Sequence, residues 1–237
     1  MLAMRLLAAL PALFLACTAS PLAAQQIAYG EVVSGSSPLA GTGGGERFVP
    51  QQGSAVSSHG LREEIAAYGP FRVLDKNRAA LVDATDEASP AAFAEMLRAF
   101  PGIAMIEMVD CPGTYDDLAN LRLGRMIRAA RIATFVPAGG SVRSGGVELF
   151  LAGARRFADP GAEFAVHAWE DEDGLEASDY PPTAPENAKY LSYYREMGMD
   201  AAQAQAFYAM TNAVSHEQAH WFDGAEMARW VALDEAA

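Results

Sequence analysis

Cysteine is nearly absent: the 237 residues contain two, Cys17 and Cys111, so neither a disulfide framework nor a four-cysteine zinc site can form. Lysine is as rare, with Lys76 and Lys189 alone, and Lys plus Arg total 17 against 30 Asp plus Glu. The formal net charge is -13. So acidic a chain, with its few cations scattered, lacks the electrostatic footprint of a phosphate-backbone binder, which excludes nucleic acid as a partner. Long apolar runs are missing too, and the one near the start, residues 6–16 (LLAALPALFLA), is too short to span a bilayer. Hydrophobic residues nevertheless reach 51% and charged residues only 20%. That is enough to bury a sizeable core and too apolar for disorder throughout.

The short run follows Arg5 and leads to Leu22-Ala23-Ala24 ahead of Gln25. A basic start, an apolar core and small residues at a cut are the parts of a signal peptide over residues 1–24, implying a periplasmic or secreted protein. The alternative is a lipoprotein acylated at Cys17, for which Phe14-Leu15-Ala16 is a poor lipobox. Residues 25–70 are rich in Gly, Ser and Pro and read as a flexible linker. Gly41-Thr42-Gly43-Gly44-Gly45 within them lacks the Gly-Lys-Ser/Thr ending and the preceding strand of a phosphate loop. Residues 71–237 form the expected domain.

There the pattern becomes α/β. Ala79–Asp83, Ile103–Val109, Ile132–Val136 and Glu163–His167 read as strands, apolar nearly throughout, as in a parallel sheet covered on both faces. Between them fall helices. One opens at Ser89-Pro90 and runs through Phe100, with Ser89 as N-cap. Tyr115–Ala130 carries Leu118, Leu121, Leu123, Met126 and Ile127 as an apolar stripe, and Gly145–Ala154 is apolar. Repeated strand–helix–strand units favour crossover connections. Glu170–Asp179 holds six acids in ten residues and reads as a solvated loop, its spacing matching no named calcium loop. From Asn187 onward the chain reads as helical.

Ser144-Gly145-Gly146 lies between a strand and a helix, where backbone N–H groups point outward and favour developing negative charge. A plain N-cap serine accounts for the same residues. The Gly-x-Ser-x-Gly elbow is absent, since Val142 stands at its first glycine. His167 ends an apolar strand, where open parallel sheets gather their sites, and a buried structural histidine is the competing account.

Taken together, Val109-Asp110-Cys111-Pro112-Gly113-Thr114, Ser144 through Gly153, and Arg156-Phe157-Ala158-Asp159-Pro160-Gly161-Ala162 leading to His167 resemble the Clp protease/crotonase superfamily, especially its exported, stand-alone bacterial members. The resemblance covers roughly residues 78–169, with a weaker echo in Trp221–Leu233. It implies a repeated ββα superhelix with a parallel sheet and a helical C-terminal part. It further implies Ser144 as nucleophile, His167 as general base, and an oxyanion hole from Gly145 and the Gly113-Thr114 turn. Two departures stand out: Thr114 replaces the family's second glycine, and the acid expected behind His167 falls near Ala219, between Glu217 and Asp223. The implied activity is ATP-independent serine hydrolysis of a peptide or acyl substrate by a homo-oligomer, with no cofactor and no ATPase partner. A non-catalytic binding protein of the same fold is the alternative.

Two other constellations compete. His216-Glu217-Gln218-Ala219-His220 spells His-Glu-x-x-His, which on a helix sets both histidines on one face for zinc, with Glu217 as base. Its third ligand is lacking, since Glu226 stands where a metzincin has histidine. A serine–lysine dyad would draw on Lys189, beside Tyr190, Tyr193 and Tyr194, which read as a packing stripe.

Overall fold

The computed structural model describes Arg47–Phe48 and residues 64–235. The segment read as a signal peptide, Cys17 and the glycine run at 41–45 lie outside the described residues.

The short apolar runs form strands and the amphipathic stretches helices, in the order β1 (Arg47–Phe48), β2 (Ala66–Tyr68), β3 (Phe71–Val73), β4 (Arg78–Leu81), α1 (Ser89–Ala99), β5 (Met105–Met108), β6 (Asp110–Cys111), β7 (Gly113–Thr114), α2 (Asp117–Ala129), β8 (Ala133–Val136), β9 (Ser141–Arg143), α3 (Gly145–Leu151), β10 (Arg156–Ala158), β11 (Glu163–Val166), α4 (Pro185–Glu196), α5 (Ala201–Thr211), β12 (His220–Asp223) and α6 (Gly224–Trp230). A six-stranded sheet has the order β10-β8-β5-β4-β3-β2, parallel from β10 to β4 and antiparallel beyond. A four-stranded sheet runs β12-β11-β9-β6, with β11, β9 and β6 parallel. Three times the chain lays one strand in the larger sheet and the next in the smaller: β5 then β6, β8 then β9, β10 then β11. A helix follows the first two of these steps. This is the expected α/β class with a repeated ββα superhelix.

The helices sit where their apolar positions demand. In α2, Leu121, Leu123 and Ile127 are buried and Asp116 caps the start, its side chain accepting from Ala119 N at 2.9 Å. Leu118, counted above in the stripe, is exposed instead, beside exposed Tyr115. In α3 every residue is buried, and each large side chain such as Phe150 contributes roughly 1.5–3 kcal/mol. Ser89 is not the N-cap of α1: its hydroxyl turns back to Asp86, and the helix begins one residue earlier than expected.

Three expectations need correction. The folded unit starts before residue 71, because Ala66–Tyr68 pairs antiparallel with Phe71–Val73 and Arg47–Phe48 pairs antiparallel with Gly113–Thr114. The helical C-terminal part is interrupted by β12, an edge strand whose partner β11 supplies pairing that no local pattern announces. The acidic stretch is not wholly a solvated loop: Glu170 and Glu176 face each other in an antiparallel bridge, followed by a single turn of 3-10 helix at Ala177–Asp179. No helix among the described residues is long and apolar enough to cross a membrane.

Candidate active site

Strand β9 delivers Ser144 to the first turn of α3 in an unusual backbone state, φ 50 and ψ -123. For a residue with a Cβ this left-handed region costs on the order of 1–3 kcal/mol and persists only where surroundings enforce it. Here Ser144 N donates to Ala165 O at 2.8 Å, Val147 N donates to Ser144 O at 2.9 Å, and Asn120 Nδ2 donates to Gly145 O at 2.7 Å. The Ser144 side chain makes no capping bond to the helix. The N-cap account is therefore set aside. The turn has the sharp strand-to-helix form of a nucleophile elbow without that motif's first glycine. Ser144 Oγ lies 2.7 Å from His167 Nε2, and neither residue has exposed surface.

Parallel pairing of β9 with β11 brings the two together, since Ser144 and His167 each follow the end of a neighbouring strand. The residues expected to form an oxyanion hole lie on β7 and at the start of α3. Gly113 has φ 139, open to glycine and strained for other residues. Thr114 is fully buried, and its Oγ1 donates within reach of Thr85 O (3.2 Å) and Asp116 O (3.1 Å). A Cβ on Gly145 would stand 2.7 Å from Thr114 Cγ2, so glycine is required by close approach. Helix α3 has only seven residues, so what it offers is individual N–H groups rather than a macrodipole. Gly145 directly follows Ser144, Thr114 closely approaches Gly145, and β1 pairs with Gly113–Thr114.

The rest of the neighbourhood resolves the competing constellations. His216 is in a turn and His220 opens β12, so His-Glu-x-x-His is not helical and its two histidines share no helix face. No group of three His, Cys, Asp or Glu among the described residues could hold a metal. His220 Nε2 instead lies 3.2 Å from Glu226 Oε1. Lys189 Nζ lies over the rings of Trp169 and Tyr190, 5.6 and 5.0 Å from their centroids, a cation packed on the tyrosine stripe. Cys111 is buried under the site, and burial above all, with Asp110 adding to it, pushes its thiol well above the usual range.

Sequence reasoning missed three residues. Asn120 links Thr85 Oγ1 to Gly145 O across α2 and α3. Arg143, almost wholly buried, spans Ser141 Oγ (2.9 Å) and Asp110 Oδ1 (2.7 Å) and holds β9 against β6 just before Ser144. The ring of His216 lies 4.7 Å from that of His167, centroid to centroid. Only the histidine gave a signal, through a motif with another meaning.

Neither a protein-family model nor a curated protein matches this chain. Solved structures similar to it include a membrane protease specific for a stomatin homolog from Pyrococcus horikoshii, at 16% identity and TM-score 0.43, covering 65% of this chain and 69% of that one. A variant of ClpP1 from Listeria monocytogenes is similar at 16% identity and TM-score 0.45, with 66% and 88% covered. An enoyl-CoA hydratase from Shewanella pealeana is similar at 14% identity and TM-score 0.45, with 70% and 67% covered.

Proposed function

We propose that this protein is a serine hydrolase that cleaves peptide bonds. The observation that carries the reading is the 2.7 Å approach of Ser144 Oγ to His167 Nε2 on an elbow-type turn. A hydroxyl is a weak nucleophile until a base takes its proton. With Nε2 unprotonated, His167 accepts that proton as Oγ bonds to the substrate carbonyl carbon. The carbonyl oxygen becomes an oxyanion facing the N–H groups of Gly145 and the Gly113-Thr114 turn, each donor of this kind being worth about 10²–10³ in rate. Collapse breaks the C–N bond, the leaving amine takes the proton from His167, and water then hydrolyses the acyl-enzyme by the reverse proton path.

Peptide is favoured over acyl ester by β1. The edge beside the oxyanion turn already pairs with an extended backbone, as a peptide substrate would require. Export, action without ATP or an ATPase partner, and homo-oligomers belong to the same reading. They rest on residues 1–24 and on the resemblance of residues 78–169. A mature N-terminus near Gln25 by mass spectrometry supports export, and an intact Met1 on soluble cytoplasmic protein sinks it.

A fluorophosphonate probe tests the chemistry without knowledge of the substrate. The wild type is expected to take the label at Ser144, with Ser144→Ala and His167→Ala each losing about a thousandfold or more and the double variant no worse. A wild type that takes no label leaves a binding protein of this fold.

A further inference from the structure

When His167 takes the serine proton it becomes a cation in a site with no exposed surface, and such a cation needs an orienting and stabilising neighbour. Continuing the β11–β12 register by one residue sets Ala219 beside His167, so the strand offers a methyl group at that place. Glu217 is exposed, and Asp223 stands at the far end of the ladder opposite Glu163, capping α6. The ring of His216 lies against that of His167, tilted 53° to it. Its position is fixed from two sides. Ala168 N donates to Val214 O at 2.9 Å, and His216 N donates to Glu176 Oε1 at 2.6 Å. Glu170 Oε1 then lies 3.8 Å from His216 Nδ1, an electrostatic contact beyond hydrogen-bond range. The bridge between Glu170 and Glu176 thereby turns two carboxylates of the acidic stretch toward one histidine.

We infer that His216, with Glu170 behind it, orients His167 and stabilises its protonated form. The inference rests on the hydrolase reading above. His216 is a positioning residue: it acts through His167 and touches none of the reacting atoms. The His216 ring packs against the base and limits its orientation, and the Glu170 carboxylate beyond it supplies negative charge. The His-Glu-x-x-His spelling thus contributes its first histidine to the serine site.

The test is the rate of Ser144 phosphonylation by a fluorophosphonate probe on the full mature chain. His216→Phe keeps a ring of similar size and should slow labelling about 10- to 100-fold. Glu170→Gln should slow it by a smaller factor, and the pair should be no slower than His216→Phe alone, as for residues in one relay. Ala219→Asp placed in the His216→Phe background should restore the rate to within a fewfold of wild type, because it sets a carboxylate directly beside His167; a residue that merely filled space would not be rescued this way. A wild-type rate in His216→Phe, or a loss that Ala219→Asp leaves unrestored, overturns the inference while Ser144 labelling stands. Absence of any Ser144 label in the wild type overturns the hydrolase reading and this inference with it.

Discussion

At the scale of single residues, Thr114 shows how one side chain serves two masters. It narrows the turn opposite Gly145, yet Asp116 N donates to its Oγ1 at 3.2 Å and Oγ1 in turn reaches Thr85 O. Thr114→Gly should therefore separate two quantities. Stability should fall by about 1–2 kcal/mol, read as a lower melting temperature, because a buried hydrogen-bonded group is lost and the chain gains freedom. Labelling of Ser144 should hold or rise, because the backbone N–H remains; a parallel fall in both would mean that Thr114 shapes the turn itself. His167 was legible in the sequence because it ends the apolar run Phe164-Ala165-Val166, whereas Ser144 follows Ser141-Val142-Arg143 and stood out through Gly145-Gly146 and the resemblance. Asn120 and Arg143 were not, since their partners lie 25 and 33 residues away and no local pattern encodes such a contact.

At the scale of elements, α3 is held from behind by α4. Tyr193 Oη donates to Glu148 O and Tyr194 Oη to Glu148 Oε1, both at 2.7 Å, while Tyr190 bonds Asp117 at the start of α2. The tyrosine stripe read as packing is packing with hydroxyl anchors, all three rings being fully buried. Gly124 makes room for it, as a Cβ there would collide with Tyr193 Oη. Tyr194→Phe withdraws a donor from a buried carboxylate and should cost about 1.5–3 kcal/mol in urea denaturation. Combined with Glu148→Gln it should cost less than the two separately; simple additivity would show that the hydroxyl and carboxyl are not coupled. Strand–helix alternation from residue 78 to 167 was readable from apolar runs and helix periodicity. β12 was not, because four residues near an edge adopt strand geometry only through pairing with β11, and two-residue β1 has no pattern at all.

At the scale of the whole molecule, the site is closed to solvent: Ser144 and His167 have no exposed surface, and β1 pairs with the Gly113–Thr114 edge. That closure gives β1 a meaning beyond its two residues. A pairing so short contributes little by itself, but it belongs to the same chain as the edge it covers. A segment of the same chain competes with any dilute peptide for the Gly113–Thr114 edge, because its encounter with that edge is intramolecular. Deleting the residues through Phe48 should lower the apparent KM for an extended peptide and leave kcat unchanged, whereas an unchanged KM would mean that substrate never needs that edge. Arg47–Phe48 would then set a threshold for the proposed hydrolase, which would work only where its substrate outnumbers a competitor that it carries with it.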